Sequence, residues 1–245
     1  MIFVYKTTQK MKAKAIKKMK QIDELKKQRG MTLLEIIIVL GIIGTIAAGV
    51  VILAQRAFDS RTISEIVSNT NTVRIAVKDA YQRSADGYPL PNGAGTLALT
   101  PTTIRANTAG QPIVSSLVQL GKLSLDEARN GVSNDYLNIG GALTSNGAAD
   151  PKGFFVELNG LSRDQCRSIV SQVGNQWDYV EVSTTAAPAG TYTHTTTAVD
   201  MSAAVAANGP ILRSLNTAGN VSITPEMITS VCTDDTSNSV TLGSR

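Results

Sequence analysis

Histidine occurs once in the 245 residues, cysteine twice and tryptophan once, and aromatics make up 4% of the chain. So few imidazoles and thiols exclude a His-based or multi-Cys metal centre of ordinary stoichiometry. Two cysteines are also too few for a disulfide-dense scaffold, and the composition is neither collagen-like nor that of a disordered chain. No Gly-rich phosphate loop, HExxH pattern or Gly-x-Ser-x-Gly elbow is present. The formal charge is +4, which invites a nucleic-acid reading. Its distribution argues against one. Residues 1–30 hold nine Lys and one Arg against Asp23 and Glu24, a net of +8, and residues 31–245 carry a net of −4. Beyond the first 30 residues the 13 basic side chains are outnumbered by 17 acidic ones, so no net basic surface is left to track a phosphate backbone.

What the chain does have is one long apolar run. Ile36 to Ala54 is 19 residues without a charge. As a helix it would be about 28 Å long, close to the hydrocarbon thickness of a bilayer. The positive flank that precedes it places that side in the cytoplasm and the rest of the chain beyond the membrane. A secretory signal peptide has a shorter basic region, a 7–15-residue apolar stretch and a small-residue cleavage site. Here the basic segment is far longer, and Gln55-Arg56 follow the run directly. Glu35 stands at the cytoplasmic start of the run, after Met31, Thr32, Leu33 and Leu34. A carboxylate beside a membrane segment costs several kcal/mol unless it is paired. Arg29 is one cation within reach. Cleavage after Gly30 would supply another, the new amine of Met31.

The order Gly30, Met31, Thr32, Leu33, Leu34, Glu35, followed by Ile36–Ala54, resembles the type IV pilin family. The long basic leader and the Met after the Gly resemble the type IVb subclass, and Gly41–Asp59 is similar to its longus- and toxin-coregulated-type major pilins. The resemblance implies cleavage between Gly30 and Met31 by a membrane-embedded peptidase, N-methylation of Met31, and pairing of Glu35 with the Met31 amine of a neighbouring subunit. Gly30 suits such a site, since a residue without Cβ lets a protease approach the backbone. It further implies a prepilin, the major structural subunit of a type IVb pilus serving adhesion, bacterial aggregation and colonisation. The alternative within the same logic is a pseudopilin of a type II secretion system or a minor pilin. A membrane-anchored enzyme or binding protein would require a retained leader and a ligand constellation. The implied partners are other copies of the chain, the prepilin peptidase/N-methyltransferase, the pilus assembly machinery, the inner membrane before assembly, and host or bacterial surfaces. No nucleic acid, cofactor, metal or catalytic residue is expected. The precursor would sit in the inner membrane with its globular part in the periplasm, and the assembled pilus would be extracellular.

Residues 55–83 continue without Pro or Gly. Phe58, Ile66, Val73, Val77 and Tyr81, widened by Ile63, Val67 and Ala80, mark one helical face for core packing. Residues 31–83 are therefore expected as a single helix, after a cleaved leader over 1–30 and before a globular head over 84–245. The glycines at 41, 44 and 49 suit close helix packing or local melting, and the pattern does not separate these. In the head, residues 84–112 and 131–152 read as loops, and 184–209 as a stretch of low information. Ile113, Leu117 and Leu120 suggest a helix ended by Gly121. Ser124–Glu127 and Ser162–Gln165 are capping boxes, the second opening a helix through Cys166. Residues 153–158, 177–183 and 239–242 read as strands, and Thr224-Pro225 opens a short helix. The expected class is α+β, a long N-terminal helix on a mainly antiparallel sheet with small helices and long loops; the family resemblance places the C-terminal strand inside the sheet.

Cys166 and Cys232 both lie beyond the membrane by the charge argument. An even pair in an oxidising compartment reads as a disulfide, with two buried free thiols as the alternative. The resemblance makes residues 166–232 the variable region displayed on the filament. Trp177 and Tyr179 read as sheet core rather than a sugar platform. Asp234-Asp235 read as a solvated turn, and His194 as an exposed loop residue.

Overall fold

The computed structural model describes residues 17–19, 32–106, 110–185 and 187–245. The chain divides into two units, Met1–Gln55 and Arg56–Arg245. Helix α1, Leu33–Tyr81, begins in the first and ends in the second. Its start is set by Thr32, whose Oγ1 accepts a hydrogen bond from the Glu35 amide at 3.2 Å. Through the apolar run the side chains stay exposed, and Thr45 returns its hydroxyl to the Ile42 carbonyl at 2.8 Å.

In the second unit α1 changes character. Ile63, Ile66, Thr70, Val73, Ala76 and Val77 are buried at helical spacing, and Val67, Ala80 and Tyr81 pack beside them. Phe58 does not join this face and is 68% exposed. One core cluster unites these residues with Phe154, Val156, Leu158, Val180, Val240 and Leu242. Those six alternate along three strands, so one face of the sheet meets the helix.

Six strands make the sheet: β1 Asn138–Leu143, β2 Gly153–Leu161, β3 Tyr179–Ser183, β4 Val199–Asp200, β5 Ile211–Arg213 and β6 Asn238–Ser244. Their order is β4-β1-β2-β6-β3-β5. Only β1 and β4 pair in parallel; the other neighbours are antiparallel. The C-terminal strand β6 therefore lies inside the sheet, between β2 and β3. The fold is α+β, and the sheet is buried on both faces. That is why β2 and β6 are almost continuously buried.

Short helices fill the margins. α2 is Gly93–Leu97, α3 Ile113–Gln119, α4 Arg163–Val173 and α5 Pro225–Val231. Ser162 and Gln165 form the reciprocal box that opens α4, and Thr224 caps α5 with Pro225 in its first turn. Ser124 and Glu127 make the same reciprocal bonds, but the chain only turns there and forms no α-helix. Gly121, at φ +68°, ends α3 as a left-handed residue, and Leu120 points to solvent.

Two segments differ from the loop reading, and the stretch of low information holds a short strand. Residues 84–112 contain α2, capped by Asn92 through the Gly95 amide, and a 3₁₀ turn over Thr103–Arg105. Residues 131–152 contain β1, and residues 184–209 contain β4. Strand β1 is Asn-Ile-Gly-Gly-Ala-Leu, a sequence of low β propensity. Its glycines serve close approach. A Cβ on Gly140 would lie 2.5 Å from Pro91 Cβ, and one on Gly141 would lie 2.6 Å from the Tyr88 carbonyl oxygen. The 88–91 segment crosses the strand where only glycine leaves room.

Candidate functional site

The N-terminal part of α1 presents a surface rather than a pocket. Between Leu33 and Leu53, fourteen Leu, Ile and Val side chains are exposed. Glu35 is the only charged residue among them. Its side chain is exposed as well, and no ion pair among the described residues includes it. A Cβ on Gly41, Gly44 or Gly49 would meet nothing within 4 Å. Among the described residues these glycines therefore answer to no packing demand. Gly30 and Met31, the expected cleavage and methylation positions, lie outside the described residues. So does Arg29.

The second site is the C-terminal region of the head. Cys166 on α4 and Cys232 at the end of α5 form a disulfide with Cα atoms 5.8 Å apart. Both are fully buried. Beside them Arg163 donates to the Thr233 carbonyl from Nε and Nη2 at 3.1 and 2.8 Å, and pairs with Asp235 at 2.7 Å. Asp234 accepts from the Thr236 and Ser237 amides and shapes the turn into β6. The two aspartates are thus structural, each with a partner.

Trp177 is buried against Phe154, edge to face with centroids 6.2 Å apart, and the Arg74 guanidinium lies 5.0 Å from its ring centre. Tyr179 belongs to the opposite face of the sheet, packed with Phe155 and Met201. That face also carries a polar row. Asn138, Glu157, Thr241 and Glu181 are cross-strand neighbours on β1, β2, β6 and β3. Residues 187–200 cover this row.

His194 lies in that covering segment, and its side chain is only 18% exposed. The expectation of an exposed loop residue is therefore corrected. Its Nε2 meets Glu181 Oε2 at 3.0 Å, and its ring packs edge-on to Phe155. Burial works against its charge, but the hydrogen bond to Glu181 and the charges of Glu181 and Glu157 outweigh burial. Its pKa is held above the ordinary value. Burial likewise works to raise the Glu181 pKa, and the hydrogen bond from His194 and its charge reverse this and lower it. The Tyr179 hydroxyl donates to the same carboxylate at 2.9 Å, and burial first, then Glu181, raises its own pKa. Composition alone did not reveal these carboxylates. Glu157 in the apolar run of β2 was the one visible signal. No group of His, Cys, Asp and Glu that could hold a metal occurs among the described residues.

Comparison with known proteins bears on both regions. Residues 25–51 match the prokaryotic N-terminal methylation motif. Residues 116–243 match the model described as toxin-coregulated pilus subunit TcpA. A toxin coregulated pilin from Vibrio cholerae serotype O1 is 41% identical over 160 residues, 65% of this chain and 64% of that protein. Another from Vibrio cholerae is 38% identical with the same coverage. The matched stretch is thus slightly under two thirds of the curated relatives' length. The crystal structure of TcpA, a type IV pilin from the El Tor biotype of Vibrio cholerae, shares the fold. It superposes with a TM-score of 0.57 at 23% identity, over 76% of this chain and 99% of that one. The family model alone spans more than half of the sequence, and the chain belongs to the toxin-coregulated pilus subunit family.

Proposed function

We propose that this chain is a prepilin, the major structural subunit of a type IVb pilus, and that it acts as a polymer rather than as a catalyst. The observation that carries this reading is the exposed apolar surface of α1 with its single carboxylate. Each of the fourteen aliphatic side chains is worth about 1.5–3 kcal/mol when fully removed from water. The total is of order 20–40 kcal/mol, so this helix resides in lipid or against other helices and not in water. An unpaired Glu35 costs several kcal/mol in either place. Burial therefore supplies the cohesion, and Glu35 supplies the register.

In this account the precursor waits in the inner membrane with its basic flank cytoplasmic and its head periplasmic. The prepilin peptidase/N-methyltransferase cuts between Gly30 and Met31 and methylates the Met31 amine. That amine then neutralises Glu35 of a neighbouring copy. The assembly machinery draws the subunit from the membrane into a helical filament whose core is built from Ile36–Ala54. Gly41, Gly44 and Gly49, which meet no packing demand among the described residues, admit close approach of neighbouring helices. The contact is heterologous and does not close, so a fibre results. The head displays residues 166–232 to host or bacterial surfaces, for adhesion, aggregation and colonisation.

Glu35→Ala tests the reading. The expected result is a chain that accumulates in the membrane while surface filaments fall to a small fraction of wild type by electron microscopy. Filaments of normal number and length in Glu35→Ala would overturn the pairing role.

A further inference from the structure

Residues 187–200 lie across the outer face of the sheet and are held there by polar contacts rather than by a ladder. The Gly160 amide donates to the Ala187 carbonyl at 2.8 Å, and the Gly190 amide to Asp135 Oδ2 at 2.7 Å. Asn159 Nδ2 donates to the Thr191 carbonyl at 2.8 Å, and the Tyr192 hydroxyl to the Tyr136 carbonyl. Only at Val199 and Asp200 does the segment pair as a strand.

Its centre rests on two carboxylates. Glu157, fully buried, accepts from the Thr193 amide at 2.6 Å, the His194 amide at 3.2 Å and Asn138 Nδ2 at 3.0 Å. Glu181 accepts from His194 Nε2 and from Tyr179. Asn138 Nδ2 also donates to the His194 carbonyl at 2.6 Å, so one residue is gripped from ring, amide and carbonyl. The other titratable groups nearby are Tyr179 on β3, which donates to Glu181, Asp200 at the end of β4, which acts on Tyr179, and Asp135 beneath Gly190, which acts on Tyr192. All are acidic or phenolic. His194 is the one group of the set able to carry a positive charge.

We propose that residues 187–200 are a proton-sensitive strap, clamped to the outer face of the sheet when His194 is protonated between the carboxylates of Glu181 and Glu157, and loosened when it is not. With a neutral imidazole the segment covers the buried Glu157 and the partly buried Glu181 with no opposing charge. Buried charge without a partner is what low-dielectric surroundings penalise most. The strap belongs to the disulfide-bounded region, so its seating sets which backbone that region offers to a partner.

The sign follows from the direction of each pKa. His194 is raised above 6.5, so its contribution is complete below about pH 6.5 and is lost as pH rises through its folded value. Glu181 is lowered below 4.5, so its contribution is present above about pH 4.5 and is lost as pH falls through its folded value. The clamp is tightest in mildly acidic water and loosens toward alkaline pH.

The chain has one histidine, so an imidazole ¹⁵N label gives one site to follow. The experiment titrates the full chain in detergent micelles from pH 5 to 9. It follows the His194 ring by NMR and the protection of the Thr193 and His194 amides by hydrogen exchange, corrected for intrinsic rates. Protection should fall at the His194 midpoint. Each pH unit by which that midpoint exceeds 6.5 corresponds to about a tenfold fall. Trp177 fluorescence should stay constant, since the opposite face of the sheet is not involved. In His194→Gln the step should vanish. Glu181→Gln, which keeps His194 as a probe, should move the His194 midpoint and the step together to lower pH. Protection that is flat through the His194 titration overturns the proposal. So does a step that persists in His194→Gln or stays in place in Glu181→Gln.

Discussion

The Cys166–Cys232 bond closes a segment with a sequence separation of 66 residues. In the chain-entropy model a loop of that length restricts the unfolded state by about 4 kcal/mol. Domains are stable by only about 5–15 kcal/mol, so this is a large share. The bond joins α4 to the end of α5, where the other polar link is Arg163 with the Thr233 carbonyl and Asp235. That link is partly exposed, worth about 1 kcal/mol or less, and does not replace the cross-link. Reduction of the wild type isolates the cross-link, and Cys166→Ala with Cys232→Ala adds a small loss of packing. The assay is urea unfolding followed by fluorescence of Trp177, the chain's single tryptophan, which is buried beneath Arg74. With an m-value of about 2–3 kcal/mol/M, the midpoint should fall by about 1.3–2 M on reduction. A loss below about 1 kcal/mol would refute the reasoning. It would mean that the reduced unfolded chain is already restricted, or that the intact bond is strained.

Leu158→Ala removes a fully buried side chain from the face of β2 that meets α1 and should cost about 2–5 kcal/mol in the same assay. A cost under 1 kcal/mol would show that the site collapses around the cavity. Ser162→Ala removes the hydroxyl that accepts the Gln165 amide and should cost about 0.5–2 kcal/mol. Ser162→Thr, which keeps the acceptor, should restore most of it.

The elements legible in the sequence are those whose cause is local. The apolar run announces itself because a span tolerates no interruption. The box at Ser162 and Gln165 fixes the start of α4 within four residues, and Thr224 with Pro225 does the same for α5. Buried positions on α1 follow its 3.6-residue period from Ile63 onward, and Phe58 fails only because the packed face begins after it. Strand β1 was hidden because its glycines answer to Tyr88 and Pro91, some fifty residues earlier in the chain. His194 was hidden for the same reason. Its neighbours are Thr-rich and without period, and the groups that bury it, Glu157 and Glu181, sit on two other strands. The Ser124 box shows the opposite case, where the local bonds form but no helix follows them.

The central claim is that the chain is processed after Gly30 and assembled through its apolar helix. Intact mass and N-terminal sequencing of the protein sheared from cells test it most directly. The account predicts a surface polymer whose subunit begins at Met31, carries one additional methyl group and has Cys166 and Cys232 joined as a disulfide. A chain that keeps residues 1–30 and stays with the membrane fraction would contradict it.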